Sequence, residues 1–536
     1  MNYGFVIDNR MCIGCHACTV ACKSEHNVPI GVNRTHVKYI EKGVFPNSTR
    51  EFSVHRCNHC EDAPCVEICP TTALHTRADG IVDFDNDRCI GCKSCMQACP
   101  YDALYIDPDT NTAAKCNYCA HRIDGGYEPA CVIVCPVEAI VSGDLDDANS
   151  KIAQLVANED TMTRKPEKGT HPNLFYINVS SEMLDPNATT RNGKYLWSEQ
   201  SVGVGHFAKY AEQRTSKTDM ENLLVQLAIE NSAKTGQTID QQAINNVAKE
   251  IQQDMDAHEA RRVYDSPSKG VLWGWEVPAY IWTKAIATGT FLMMAVWSWL
   301  NGGMATGSEM TALVITLGFM GMTGALLVKD LDRPDRFLYV LLRPQWKSWL
   351  VRGAYIITGF GGIVTLKLLD NYFGLGLEWL MVPGAVLAIL GAIYTAFLFN
   401  QAKAQDLWQS PILSAIHMLV HAVMAGSVTM ILITPNSIEW MSSVLQWAIF
   451  LNLILIAKEV LMPYVTKDTQ KAIQLMTKGH YSKMFWVGVV MGSIFPIIIL
   501  TSMSGSWILI AGGLALIGIF LTEFVRIRVP QLIPLS

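Results

Sequence analysis

From Val277 onward the chain is a series of long apolar runs broken by short polar stretches. Eight runs reach membrane-spanning length, near 277–300, 310–328, 353–369, 379–400, 411–434, 443–462, 484–502 and 507–525. Buried helices of a soluble protein do not come eight in series, so the pattern predicts an all-α transmembrane bundle. Residues 151–270 read differently, being mostly polar and free of cysteine. Within them "HPNLFYINV", His171 to Val179, alternates enough for a short strand. Two capping boxes, Thr218-x-x-Glu221 and Thr238-x-x-Gln241, each open a helical pattern. After the second, Ala243, Val247, Ile251 and Met255 make one apolar stripe. This stretch reads as a linker subdomain that packs on its neighbours.

Composition sharpens the division. Half of the 536 residues are hydrophobic and 17% are charged, below the usual quarter. A net charge of -6 and the lack of a long basic run set nucleic acid aside. All 16 cysteines lie between Cys12 and Cys135. The opening residues, Met1 to Asp8, carry neither a secretory h-region nor a twin-arginine motif. The expectation is that no signal in this chain exports the cysteine-rich part.

The cysteines form four groups of four: Cys12, Cys15, Cys18, Cys22; Cys57, Cys60, Cys65, Cys69; Cys89, Cys92, Cys95, Cys99; Cys116, Cys119, Cys131, Cys135. Each ends in C-x3-C, and the last three end in Cys-Pro. Three thiolates on a tight loop can cap one iron-sulfur cubane, while the fourth points to the other member of a two-cluster pair. Sixteen ligands make four 4Fe-4S clusters with none left over. Zinc ribbons need isolated C-x-x-C pairs without these tails, and a disulfide framework does not explain the repeated spacing. "CIGCH" also matches a haem-attachment motif at Cys12 and Cys15. Haem there would orphan Cys18 and Cys22, which leaves His16 as a loop residue beside a cluster.

"RCNHCEDAPCVEICPTTAL", "DRCIGCKSCMQACPYDA" and "KCNYCAHRIDGGYEPACVIVCPVEAI" resemble the four-cluster electron-transfer subunits of molybdopterin oxidoreductases, such as dimethyl sulfoxide and polysulfide reductases. The resemblance covers roughly residues 1–180 and implies an α+β ferredoxin-like iron-sulfur domain. It implies that the first group shares clusters with the fourth, and the second with the third. Carried over, one cluster takes Cys12, Cys15, Cys18 and Cys135, and another Cys22, Cys116, Cys119 and Cys131. A third takes Cys57, Cys60, Cys65 and Cys99, and the last Cys69, Cys89, Cys92 and Cys95. Some members of that family place Trp at one third-group position; Cys92 is kept here, which implies four cubanes. No nucleophile or acid-base pair accompanies the cysteines, so this domain reads as a conductor and not as a catalytic subunit.

"WEVPAYIWTKAIATG" and "KDLDRPDRFLYVLLRPQWKSWLVRGAY" resemble the NrfD/polysulfide reductase membrane subunits, which implies an eight-helix quinone-binding core. The chain then reads as a fusion: an iron-sulfur domain (1–180), a partly helical linker (181–270) and a membrane domain (271–536). An even number of helices puts the N-terminal domain, the connections 2–3, 4–5 and 6–7, and the C-terminus on one side. Lys284, Asp330, Arg352, His417, His421, Lys458, Glu459 and Glu523 lie toward that side, against Lys367 and Asp370 toward the other. Charges at such depth usually face a functional cavity. Lys284, Asp330, Arg352, His417, His421 and Glu459 are the candidate contacts for a quinone, menaquinone or ubiquinone. His417 and His421, at i and i+4, face one way, which suits a headgroup and not the two axial positions of a haem.

The expected function is electron transfer between the quinone pool and a molybdopterin-containing subunit acting on a sulfur or related compound. A hydrogenase, formate-linked or cytochrome partner is the alternative terminus, and an ion-translocating module the alternative class. Basic residues crowd the connections on the cluster-domain side, which favours the cytoplasmic face of the inner membrane, with the periplasmic face as alternative. Metal analysis of the purified chain is expected to return about sixteen irons, four per cubane. A value well short of that contradicts the ligand count.

Overall fold

The computed structural model describes residues 1–43, 47–189, 260–265, 269–461, 466–503 and 505–536. The chain divides into two compact units: Met1–Val66 with Ala73–Leu272 and Pro534–Ser536, and Glu67–Thr72 with Trp273–Ile533. Both predicted capping boxes lie outside the described residues.

In the first unit, β1 (Tyr3–Asp8) is central to a four-stranded sheet. It pairs antiparallel with β8 (Ile140–Asp144) and parallel with β10 (Leu174–Ile177), which carries β9 (Thr161–Met162) at the edge. Phe5, Val6 and Ile7 are buried in succession because both faces of β1 are covered. Phe5 and Ile7 meet Tyr118 and Tyr176 on one side, and Val6 meets Ile152 on the other. Ile152 belongs to the helix Lys151–Asn158, whose Ser150 side chain caps the Ala153 N–H. The strand predicted over His171–Val179 is thus present as β10.

A second sheet pairs β2 (Thr35–Lys42) with β3 (Thr49–Arg56) and with β11 (Ala260–Tyr264). The described ends of the polar middle stretch therefore belong to this unit, since β11 completes its sheet and Met183 and Leu184 enter its core. Two hairpins, β4 (Leu74–Thr76) with β5 (Val82–Phe84) and β6 (Leu104–Ile106) with β7 (Ala113–Lys115), follow the second and third cysteine groups.

The local rule behind this layout is Cys-Pro-x-x-Ala. It occurs as "CPTTA", "CPYDA" and "CPVEA", each followed directly by a strand at Leu74, Leu104 or Ile140. Thr72, Asp102 and Glu138, at the same place in each repeat, take positive φ of 52°, 55° and 50°. That turn aims the next amide back at sulfur: the Ala139 N–H donates to Cys135 Sγ at 3.2 Å, and the Ala103 N–H to Cys99.

Among its described residues the second unit contains eight helices long and apolar enough to cross a membrane. They are α1 (Glu276–Asn301), α2 (Thr306–Lys329), α3 (Trp349–Phe373), α4 (Glu378–Gln401), α5 (Pro411–Ile433), α6 (Pro435–Leu461), α7 (Ser482–Ser502) and α8 (Trp507–Leu532). α1 is the most enclosed, at 83% of its apolar window, against 22% for α3, whose large side chains face outward. Close approach explains its place: a Cβ on Gly289 would sit 1.8 Å from the Ala422 carbonyl oxygen of α5, and one on Gly426 2.1 Å from that of Gly289. Small residues let backbones touch where no hydrophobic effect pulls helices together. α7 contains a π-helical turn, Val490–Ile494, just before Pro496. The segment Glu67–Thr72 groups with these helices. Ser348 Oγ donates to the Ile68 carbonyl at 2.7 Å, and Gln401 Nε2 to Glu67 Oε1 at 3.0 Å.

Exposed aromatics gather at helix ends, with Trp299, Tyr372, Trp379 and Trp507 at one end and Trp275, Trp346 and Trp486 toward the other. This is the interfacial placement expected of amphipathic rings. Gly426→Val is expected to destabilise the folded protein by roughly 1–3 kcal/mol or more through overpacking. Gly321→Ala, with nothing within 4 Å of its added carbon, is expected to change nothing. Thermal unfolding in detergent reads both.

Thiol quartets and a buried polar layer

None of the sixteen cysteines is joined in a disulfide. Cys15 is exposed, Cys12, Cys89, Cys92 and Cys135 are half-buried, and the rest are buried. Each tight loop contains left-handed residues: Gly14 and His16, His59, Gly91 and Lys93, Tyr118 and Cys119. These curl the backbone so that amides face inward, as in anion-binding nests.

Three quartets are brought together. Cys12 lies within electrostatic reach of Cys135 and Cys15, and Cys18 of Cys12. Cys22 has Cys116, Cys131 and Cys119 around it. Cys65 has Cys99, Cys57 and Cys60. In the remaining set, Cys69 is buried within Glu67–Thr72, and Cys95 on the short helix Ser94–Ala98. Cys89 Sγ accepts from the Ala113 N–H at 3.3 Å. Burial pushes the Cys18 thiol up to about 11, partly offset by Arg56, and that of Cys119 up to about 12. Gathered thiols of this kind become thiolates when a cationic inorganic core takes their charge.

The surroundings fit such cores. Among the described residues no three His, Cys, Asp or Glu side chains converge tightly enough for a single metal ion. Among the described residues, fully buried donors beside the cysteines are left open: Arg56 Nε and Nη2, Asn58 Nδ2 and His59 Nε2. Buried donors of this kind call for acceptors, and inorganic sulfide is one. His26 Nε2 sits 3.2 Å from Cys119 Sγ, and burial lowers that imidazole to about 4, so it is neutral. His16, read from the sequence as a loop residue, packs edge-on against Tyr264 at 4.6 Å.

In the helical unit a polar layer crosses the apolar interior. His417 Nε2 and His421 Nε2 both face Asn452 Oδ1, at 2.7 and 3.1 Å. Asn452 Nδ2 donates to Ser493 Oγ at 3.2 Å, from the π-helical turn of α7. His421 Nδ1 is 3.3 Å from Glu523 Oε1. Arg526 then donates to Glu523 at 3.0 Å and sits 3.1 Å from Glu459. Lys284 donates to Thr395 Oγ1, lies 4.2 Å from the centroid of the Tyr394 ring, and is within electrostatic reach of Glu523. At about 1.5 Å per residue, Lys284, His421, Asn452, Ser493 and Glu523 lie roughly 12–17 Å below the side where α1 begins, near mid-membrane depth.

Of the six membrane candidates, four belong to this arrangement: Lys284, His417, His421 and Glu459. Asp330 caps α2, half-exposed. Arg352 is exposed, donating to the Trp346 carbonyl at 2.7 Å and lying 4.8 Å from the Trp349 ring centroid. Sequence reading missed Asn452, Ser493 and Arg526 as partners. The lone polar residue in "AIFLNLILIA" was the available signal for Asn452. The far end is also less bare than the sequence suggested. Lys367 is buried 2.9 Å from both Asp370 and Glu378, and 3.5 Å from Glu309. A cleft of about 680 Å³ lies between α1, α2 and α8, walled by Trp275, Trp282, Thr283, Met322, Lys329 and Phe520.

Residues 265–534, half of the chain, match the family described as Polysulphide reductase, NrfD. The chain belongs to that family. Ahead of its NrfD region, residues 11–74 and 49–145 each match a 4Fe-4S dicluster domain. The chain is therefore a multi-pass membrane protein that carries an iron-sulfur region. It is 42% identical over 248 residues to a putative dimethyl sulfoxide reductase iron-sulfur subunit of Halobacterium salinarum, covering 41% of this chain and 92% of that one. With a polysulfide reductase chain of Wolinella succinogenes it shares 44% identity over 178 residues, 33% of this chain and 93% of the relative. A tetrathionate reductase subunit of Salmonella typhimurium is 41% identical over 201 residues, 37% and 80% of the two chains.

Arg526 holds two carboxylates together in this NrfD region, so Arg526→Gln alone is expected to cost about 3–5 kcal/mol, the usual result of stranding buried charge. Adding Glu523→Gln should recover part of that loss. Thermal unfolding of the single and double variants reads the coupling.

Proposed function

We propose that this chain passes electrons between a membrane quinone and a separate catalytic reductase subunit. The observation that carries this reading is the pairing, in one polypeptide, of cysteine quartets with a buried titratable layer of His417, His421, Glu523 and Arg526.

The four quartets, with Cys12, Cys15, Cys18 and Cys135 as the first, would hold four 4Fe-4S clusters, which when bound supply one-electron transfer. The chain's own residues prepare those sites. Positive-φ loops present amides, Cys-Pro-x-x-Ala turns aim an N–H at a ligand sulfur, and burial excludes water. Cys15 is exposed, on a loop whose Met11 and Ile13 side chains are also exposed. Such a patch around an otherwise enclosed redox site suits a protein partner. Its partner would be a molybdopterin-containing subunit acting on an oxidised sulfur compound. The likeness to a polysulfide and a tetrathionate reductase subunit supports that class.

At the membrane end, the apolar cleft would admit the quinone ring and tail. The same two helices carry the cleft and the polar layer: Thr283 precedes Lys284 on α1, and Phe520 lies one turn from Glu523 on α8. A quinol losing two electrons must also lose two protons, which need a titratable acceptor and an exit. His421, Glu523, Arg526 and Glu459 form a chain toward the side where α1 begins, so proton exchange belongs to that side. Basic residues in the connections on that side support the cytoplasmic face of the inner membrane, with the periplasmic face as the alternative.

In sealed vesicles holding the protein in one orientation, quinol oxidation by an added electron acceptor should acidify the side where α1 begins. His421→Leu should slow that turnover at least tenfold, within the range typical of a lost acid-base group. Proton release on the opposite face contradicts the reading.

A further inference from the structure

Two cations are fully buried among the cysteine quartets, and neither forms an ion pair with a carboxylate among the described residues. Arg56, at the end of β3, donates from Nη1 to Cys131 Sγ at 2.9 Å, and its guanidinium carbon lies 4.5 Å from the Phe5 ring centroid. Cys18 and Cys116 are also within its electrostatic reach. It therefore stands between the quartet of Cys12, Cys15, Cys18 and Cys135 and that of Cys22, Cys116, Cys119 and Cys131. Lys115, at the end of β7, donates to the carbonyls of Val82 and of Cys116, the second at 2.8 Å. Cys57 and Cys65 are within its reach. It stands between the second of those quartets and that of Cys57, Cys60, Cys65 and Cys99.

Among the other buried cations of this unit, Arg262 bonds Asp265 at 2.7 Å and Lys269 lies 2.8 Å from Asp102, while Arg164, away from the quartets, donates to the carbonyls of Tyr101 and Leu535. A cation buried without an anion is costly, so Arg56 and Lys115 need negative charge of another kind. Arg56 also has two nitrogens, Nε and Nη2, with no acceptor among the described residues. A cubane held by four thiolates is anionic and gains one further negative charge with each electron accepted. Net charge and hydrogen bonds to sulfur are main determinants of cluster potential.

We propose that Arg56 and Lys115 are fixed counter-charges placed at successive junctions between cluster sites, and that they raise the reduction potentials of the clusters they separate. The proposal rests on the quartets being cluster ligands. Its chemistry is a one-electron reduction: the added electron stays on the cluster, no proton is taken up, and the cation at the junction offsets the new charge. Both are positioning residues, acting through the ligand sulfurs.

The test is a dithionite titration of the full-length protein followed by electron paramagnetic resonance, with iron measured on the same samples. Arg56→Gln, retaining wild-type iron, is expected to lower at least one midpoint so that the reduced-to-oxidised ratio at the wild-type midpoint falls tenfold, about 59 mV for one electron. Arg56→Lys, keeping the charge, should stay within threefold of wild type. Lys115→Gln should move a different signal from Arg56→Gln. Full iron with unmoved midpoints overturns the proposal. If Arg56→Gln loses iron, the wild type decides: protein labelled with ¹⁵N-arginine should show a nitrogen hyperfine coupling on a reduced cluster, and its absence overturns the proposal. Low iron in the wild type would instead overturn the reading of the quartets.

Discussion

A charge held away from water must be met by an opposite charge or by hydrogen bonds, and both units are organised around that constraint. In the cysteine-rich unit the groups to be reconciled are buried thiols and the cations Arg56 and Lys115, with Cys131 Sγ accepting a hydrogen bond from one guanidinium N–H. In the helical unit they are His421, Glu523, Arg526 and Glu459, each within about hydrogen-bonding distance of the next. Remove one member and its neighbours become the costly ones. The surrounding apolar packing is shaped to keep these groups together and dry.

The two units do this with different backbone devices. The cysteine-rich unit uses short-range geometry, with left-handed residues at equivalent points of the loops and a Cys-Pro-x-x-Ala turn that donates an amide to sulfur. The helical unit uses long-range approach. Gly289 and Gly426 let α1 and α5 come into backbone contact, and this packs Lys284 and the two histidines into the bundle interior. The π-helical turn in α7 carries Ser493 to the side chain of Asn452.

Much of this was legible in the sequence because it is periodic. Eight apolar runs announced the eight helices, the segments from Trp275 and from Lys329 carried the resemblance to the NrfD family, and four C-x3-C tails announced the iron-sulfur region. His171–Val179 announced β10 by alternation. What the sequence hid depends on which side chains meet across helices. Arg352 looked equivalent to Lys284 as a charge near a span, yet it lies outside on Trp349. Asn452 and Ser493 are single polar residues in apolar runs, and nothing local says that they share partners. Glu309 and Glu378 lie at helix starts, where acidic residues are ordinary, and their meeting with Lys367 has no local signal. Arg56 ends a strand and opens the segment "RCNHCEDAPC", where nothing local says that it meets the distant Cys131.

On the proposed function, one polypeptide connects a membrane quinol to its own iron-sulfur clusters. That connection is tested most directly by adding quinol anaerobically to the purified protein, without any catalytic partner, and following the clusters by electron paramagnetic resonance. At least one cluster signal of the reduced form should appear, and it should be lost in His421→Leu protein of equal iron content. Clusters that dithionite reduces but quinol leaves oxidised would contradict the proposed connection.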